Sequence, residues 1–549
     1  MLREDGTHRV KMQIGDDMRA ADVLAKRLYE AGCRWAFGMP GGEVLTLIDA
    51  LEEAGITFVL CRHENAAGFM AEGTYHRTGA PGILISTVGP GALNGINSVE
   101  NARQDRVPLI VLTGCVDADT AHVYTHQVLD QPQVFRAITK ATFTLTAKMA
   151  HVITDKAIGI ATQGRMGPVH IDVPISVADA ASTGKGVLRT PATPVAPVGD
   201  VVTRAKAALA NAKRPLIVVG VDAMSQNAQQ AVMDAATCLN APVMTTYKAK
   251  GMLPETHPLS IGAAGLSPKA DDLLLPFVKA ADVILAIGYD PIEMRAGWQN
   301  PWDPATQMVI DITAEPNTHY MHQSTVNIVG GCAATVAAIL PKPIGPVWEN
   351  GALDALQDAL TTAFAPDDKW GPDQVIATCQ KMLPSDTLAT ADSGAHRILL
   401  SQMWKCEFPR ALTQSSALCT MGVAVPLAMG QQIVEPDRTV VSFSGDAGFL
   451  MVAGELATAA ELGLKTIFVV FVDASLALIE LKQRQRQMKN RGVDFAHTDF
   501  AAVANAFGGT GHRVTDADGL KQALIAAQTS DTFTLIAAEI DRKAYDGKL

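Results

Sequence analysis

Short unbroken apolar runs, ended by glycine or an acidic residue, alternate along this chain with segments of helical spacing. Residues 440–443 form one such run. The turn Gly445-Asp446-Ala447-Gly448 follows, then a helical segment, a second apolar run at 466–471 and a polar turn at Asp473. Earlier, 20–31 has helical spacing and leads into 35–38 and the turn Pro40-Gly41-Gly42, while 58–61 reads as a strand before a small-residue helix at 65–75. Further on, 205–212 is helical, and 215–220 and 282–289 read as buried strands. This alternation predicts strands covered on both faces by helices, the α/β class built on parallel sheets.

The pattern breaks twice, at a Pro/Thr/Val-rich stretch over 188–197 and again from 341 to about 367, and both read as linkers. They predict three doubly wound parallel-sheet domains at 12–182, 198–340 and 368–549, after a polar leader of about a dozen residues. A chain of 549 residues is long enough for three cores of ordinary size.

Composition narrows the class. Hydrophobic residues make up 48% and charged residues 18%, no apolar run reaches the length of a membrane span, and the start has no signal-peptide core. A cytoplasmic protein without membrane contact is expected. The net charge of −11, with no Lys/Arg stripe, argues against nucleic-acid binding. Eight cysteines are scattered without CxxC or Cys/His clustering, so they read as reduced, mostly buried thiols.

The chemistry concentrates in the two acidic turns. Loops at the C-terminal ends of parallel strands share one sheet edge, so Asp446 and Asp473, 27 residues apart, meet there. Their carboxylates are hard oxygen ligands, and the backbone N–H groups of Ala447 and Gly448 at a helix start suit a phosphate. Together they call for a Mg²⁺-bridged diphosphate. The plainer reading is an ordinary βαβ unit with a solvated Asp in each loop. Glu64, entering an apolar helix, is either a cap stabilised by the helix dipole or a functional acid.

The stretch 445–475 resembles the signature of the thiamine-diphosphate enzymes, Gly-Asp-Gly followed at a fixed interval by Asn-Asn. Asp446 matches the Asp, Asp473 falls at the second Asn, and Ser475 would supply a main-chain carbonyl, so the resemblance implies these three as metal ligands. Gly445, Ala447, Gly448 and Leu476 would border the cofactor. Two departures stand out: Ala447 replaces the last Gly, and Val472-Asp473 replaces Asn-Asn.

Other words resemble the same family in its own order. The series PGG at 40–42, HEN at 63–65, GPG at 89–91, Gln127 and TK at 139–140 is similar to the pyrimidine-binding domain. There the residue matching Glu64 hydrogen-bonds the aminopyrimidine and promotes loss of the thiazolium proton. Pro40 and Gly89 would border the cofactor, and Gln127 and His126 would face the substrate. ATADSGAH at 389–396 would bring Gly394, Ala395 and His396 to the diphosphate. SSALCTMGVAVPLAMG at 415–430 resembles the family's Gly-Thr-Met-Gly region, where the Cys419 carbonyl would accept the exocyclic amine and Met421 would hold the cofactor bent.

Within the family, GYDPIEMRAGWQNPW at 288–302 is similar to the flavin-free acetolactate synthases, and no GxGxxG follows a strand in the central domain, so FAD is not expected. Lys250, on a loop of that domain, either reaches the active site or is a surface lysine, and the second is expected. The segment 476–495 resembles the active-site helix of acetolactate synthases, with Leu478 and Ile479 as apolar contacts. Lys482 stands where many members have Gln. It is read either as a substrate-facing cation, which would select an acidic substituent, or as a solvated residue beside Arg484 and Arg486.

The resemblance therefore implies thiamine diphosphate and Mg²⁺, and decarboxylation of a small-molecule 2-oxo acid such as pyruvate with carboligation to an acceptor. A non-ligating decarboxylase and a cofactor-binding subunit that has lost catalysis are the alternatives. A homodimer is implied as the minimum, with a homotetramer as a dimer of dimers.

Overall fold

The computed structural model describes residues 18–182, 190–345 and 348–549. The polar leader, the predicted start of the first domain at residue 12, residues 188–189 of the first linker and 346–347 of the second lie outside the described residues. Contacts divide the chain into two compact units, one ending at Pro191 and one beginning at Ala192.

The first unit is built on one sheet of six parallel strands. In spatial order they are Thr57–Leu60, Trp35–Met39, Gly82–Ser86, Leu109–Cys115, Val169–Pro174 and Ala141–Thr144. Leu109–Cys115 and Val169–Pro174 are buried along almost their whole length, as strands covered on both faces must be. The helix Glu64–Thr78 starts one residue earlier and ends three later than its small-residue pattern predicts. Its small side chains bring it close to its neighbour: a Cβ on Gly68 would stand 2.1 Å from Ser98 Oγ.

The second unit carries two further six-stranded parallel sheets. One runs Val326–Val329, Met308–Thr313, Val283–Ile287, Pro215–Val219, Val243–Thr246, Ser260–Ala264. The other runs Leu412–Gln414, Leu388–Ala391, Val440–Gly445, Ile467–Val472, Thr534–Glu539, Thr510–Val514, and repeats the strand order of the first unit's sheet. Three doubly wound parallel sheets are thus present, as the apolar pattern predicts. Phe443, Phe468 and Phe471, on the two central strands of the last sheet, are fully buried.

One expectation fails. Lys250 is not a surface lysine: its ammonium is buried and lies 2.7 Å from Glu255 Oε1. Glu255 Oε2 in turn accepts the backbone N–H of Cys406 at 2.7 Å. A carboxylate five residues away neutralises the charge, which allows the stem to be buried beside Ala249 and Met252. All eight cysteines are free, five of them buried, and only Cys419 is exposed. Among the described residues no helix is long and apolar enough to cross a membrane.

Candidate functional site

In the last sheet the strand order reverses direction at Leu388–Ala391, which lies between Leu412–Gln414 and Val440–Gly445. The crevice beyond the C-terminal ends of the strands at such a point is where open α/β sheets bind ligands. A cavity of about 190 Å³ sits there. It is lined by every residue of this unit that the sequence assigns to the cofactor: Gly394, Ala395, His396, Cys419, Met421, Gly445, Asp446, Ala447, Gly448, Asp473, Ser475 and Leu476.

The two acidic turns meet. Asp446 Oδ2 accepts the backbone N–H groups of Asp473 and Ala474 at 3.1 and 2.7 Å, and its Oδ1 accepts that of Ala447 at 2.8 Å. Asp473 Oδ1 accepts the N–H of Ser475 at 3.0 Å. Burial raises the Asp446 carboxyl above its usual range despite these bonds. Burial, and then the charge of Asp446, push Asp473 up to about 8. A buried pair of like charges is costly unless a cation sits between them. Among the described residues no three His, Cys, Asp or Glu side chains converge as a metal cluster. Two carboxylates in one cavity are hard oxygen donors of the kind a dication takes together with ligand oxygens and water.

Both departures from the signature are accommodated. Ala447 lies in the helix Asp446–Leu450, so its backbone needs no glycine. Gly448 does: a Cβ there would stand 2.1 Å from Asp392 Oδ2. Asp473 brings a carboxylate to the lining of the cavity, and Ala474 beside it takes a left-handed φ of 53°.

A diphosphate also fits this cavity. The helix Ala395–Met403 begins at its edge, with no side-chain cap on its first N–H groups. His396 Nε2 is buried with no hydrogen-bond partner among the described residues. Burial, helped by Arg397, pushes its imidazole down to about 3, so the ring is neutral at pH 7 and holds one proton, which must sit on Nε2 rather than face the Asp392 backbone for the ring to donate to an oxyanion. Sequence reasoning missed four lining residues: Ser393, Phe471, Ala477 and Tyr545. Tyr545 comes from the C-terminal tail, where no periodicity marks it, and burial beside Asp473 and Asp446 raises its phenol far above the usual range. Lys482, on the helix Ala477–Gln485, is exposed and stands outside the lining group.

In the first unit the strand order reverses at Trp35–Met39, flanked by Thr57–Leu60 and Gly82–Ser86. Pro40 and Gly89 follow the strand ends at that point. Glu64 is only 4% exposed, and its Oε2 accepts Asn94 Nδ2 at 3.0 Å. The helix cap is not Glu64 but His63, whose ring accepts the Asn65 N–H. A Cβ on Gly91 would stand 3.0 Å from Glu64 Oε1. His126 and Gln127 lie in an exposed loop, and a Cβ on Gly89 would stand 3.5 Å from Gln127 Cβ.

Three domains of one family match the chain. Thiamine pyrophosphate enzymes provide an N-terminal TPP-binding domain at 18–134, a central domain at 202–339 and a C-terminal TPP-binding domain at 392–538. Similar proteins include the acetolactate synthase of Bacillus subtilis strain 168, 29% identical over 95% of this chain and 93% of that one. The catabolic acetolactate synthase of Raoultella terrigena is 29% identical over 95% of each. Acetolactate synthase isozyme 2 large subunit of Escherichia coli K12 is 28% identical, over 95% of this chain and 96% of that one.

Proposed function

Because this chain belongs to the thiamine pyrophosphate enzymes, we propose that it is an acetolactate synthase-like carboligase: it decarboxylates a 2-oxo acid such as pyruvate and joins the remaining fragment to an acceptor. The observation that carries this reading is the single cavity lined by both acidic turns and the helix start at Ala395. When bound, the cofactor supplies the electron sink that loss of CO₂ requires.

The chain's own residues bind, orient and exclude water. Asp446, Asp473 and the Ser475 carbonyl would hold Mg²⁺, and Gly394, Ala395 and His396 the diphosphate. Gly445, Ala447, Gly448 and Leu476 would wall the cofactor, Met421 would fix its bend, and the Cys419 carbonyl would accept its amine. In the first unit Pro40 and Gly89 would border the ring, and Glu64 would hold a proton against a ring nitrogen. Gln127 and His126 would face the substrate, and Lys482 an acidic substituent if the substrate carries one.

The central domain is read as flavin-free, on its resemblance at 288–302 to the flavin-free acetolactate synthases and the lack of a GxGxxG after a strand. The smallest active form in this reading is a homodimer, with Glu64 from one protomer facing the 445–475 loops of its partner, and a homotetramer is a dimer of dimers. Apolar surface supports association, since Leu93, Val123, Tyr124, Val128 and Leu129 are exposed around the Gln127 loop.

Product analysis with pyruvate tests the function. Acetolactate with CO₂ is expected, whereas acetaldehyde without acetolactate would make the enzyme a simple decarboxylase. Metal uptake has its own signature. With Asp473 pushed up to about 8, the metal-free site holds a proton at pH 7. A dication needs the carboxylate, so binding expels that proton and affinity rises from about pH 6 to about pH 8, then levels. Mg²⁺ titrations by calorimetry in buffers of different ionisation enthalpy read both effects. An affinity that is flat across this window contradicts the assignment of Asp473.

A further inference from the structure

Gln131 is fully buried below the exposed loop that carries His126 and Gln127, and it has no role in the reading above. Its Oε1 accepts the backbone N–H of Gly89 at 2.9 Å. Its Nε2 donates to Asp172 Oδ1 at 2.6 Å and to Gly114 O at 3.1 Å. The amide thus ties the Gly89-Pro90-Gly91 turn to two neighbouring strands, Leu109–Cys115 and Val169–Pro174.

The anchor is itself held firmly. Thr113 Oγ1 donates to Asp172 Oδ1 and lies 2.7 Å from His170 Nε2. With the Thr113 proton committed to the carboxylate, His170 Nε2 carries the hydrogen, and Nδ1 accepts the Thr142 hydroxyl at 2.7 Å. The imidazole stacks on Phe135, four residues after Gln131, with ring centres 4.2 Å apart. Gln131, Thr113, Asp172 and His170 are buried and each makes at least two bonds, the condition under which such networks fix geometry.

What this network fixes is a turn that only its surroundings can define. Gly89 has φ 68° and ψ −105°, a region open to glycine without strain and therefore one of several the turn can take, while Gln127, beside it, has φ 56°, which a non-glycine residue adopts only with support. We propose that Gln131 is a positioning residue: its amide, fixed by Asp172, holds the Gly89 turn and the adjoining Gln127 loop in the shape that faces cofactor and substrate. This rests on the thiamine-diphosphate reading for its catalytic consequence, but not for its structural one.

Three variants of the full-length protein test it. Gln131→Leu removes all three bonds, and Gln131→Glu keeps an acceptor for Gly89 but sets two carboxylates against each other. Gln131→Glu with Asp172→Asn restores the bond between these two side chains with donor and acceptor exchanged, as the Thr113 hydroxyl turns to His170 and that ring changes tautomer, but leaves Gly114 O without its donor. The single variants are expected to exchange the amide hydrogens of peptides spanning 87–93 at least about tenfold faster. They are also expected to lose about 10- to 100-fold in kcat/KM for the 2-oxo acid, with cofactor half-saturation moving less than about threefold. The double variant is expected to recover part of both losses, since the bond to Gly114 O stays broken. Unchanged exchange at 87–93 in Gln131→Leu, or a double variant no better than Gln131→Glu, overturns the proposal. A wild-type protein that releases CO₂ from no 2-oxo acid would instead remove the functional reading, while the exchange experiment would still judge Gln131.

Discussion

Glu64→Gln is expected to lower turnover by about 10²- to 10⁴-fold, the usual worth of a positioned acid or base, while thiamine diphosphate still binds in the presence of Mg²⁺. The side chain is 4% exposed and bonded to Asn94 Nδ2, a contact that Gln can keep through its carbonyl oxygen. The helix loses no cap, because His63 performs that task. Steady-state kinetics, thermal melting and a cofactor titration followed by circular dichroism separate the effects. Turnover within about threefold of wild type would show that Glu64 is merely a buried acid. A collapse of melting temperature would assign it to the fold.

Asp446→Ala is expected to weaken metal-dependent cofactor binding by roughly 100-fold or more, since under the proposed assignment it removes a ligand together with the acceptor that orders a second ligand's loop. Asp446 collects the N–H groups of Ala447, Asp473 and Ala474, so its loss frees the loop as well as the ion. Asp473→Asn provides the contrast. It keeps an oxygen ligand and relieves the like-charge pair, so it should retain the metal and abolish the rise in affinity between about pH 6 and pH 8. Equal damage from both substitutions would mean that the two aspartates act as a rigid loop lock rather than as ligands.

Where the sequence is explicit, its signal is periodicity joined to special turn chemistry. The apolar runs at 440–443 and 466–471 fall on Val440–Gly445 and Ile467–Val472, and the acidic turns they carry do meet. Gly448 is legible because the chain must pass Asp392 too closely for any side chain. The burial of Lys250 is not legible in the sequence, because its neutralising partner, Glu255, is effective only after a loop folds back. Tyr545 and Gln131 were silent for a related reason. One reaches the cavity from the C-terminal tail, and the other acts through hydrogen bonds to a turn 42 residues earlier and a strand 41 residues later.

The most direct measurement is a thiamine diphosphate titration of the metal-stripped protein with and without Mg²⁺. Saturable binding that requires the cation in wild type, and is lost in Asp446→Ala, is the predicted result. Binding of equal strength without any divalent ion, or none under either condition, would contradict the claim that the two acidic turns grip a metal-bound diphosphate.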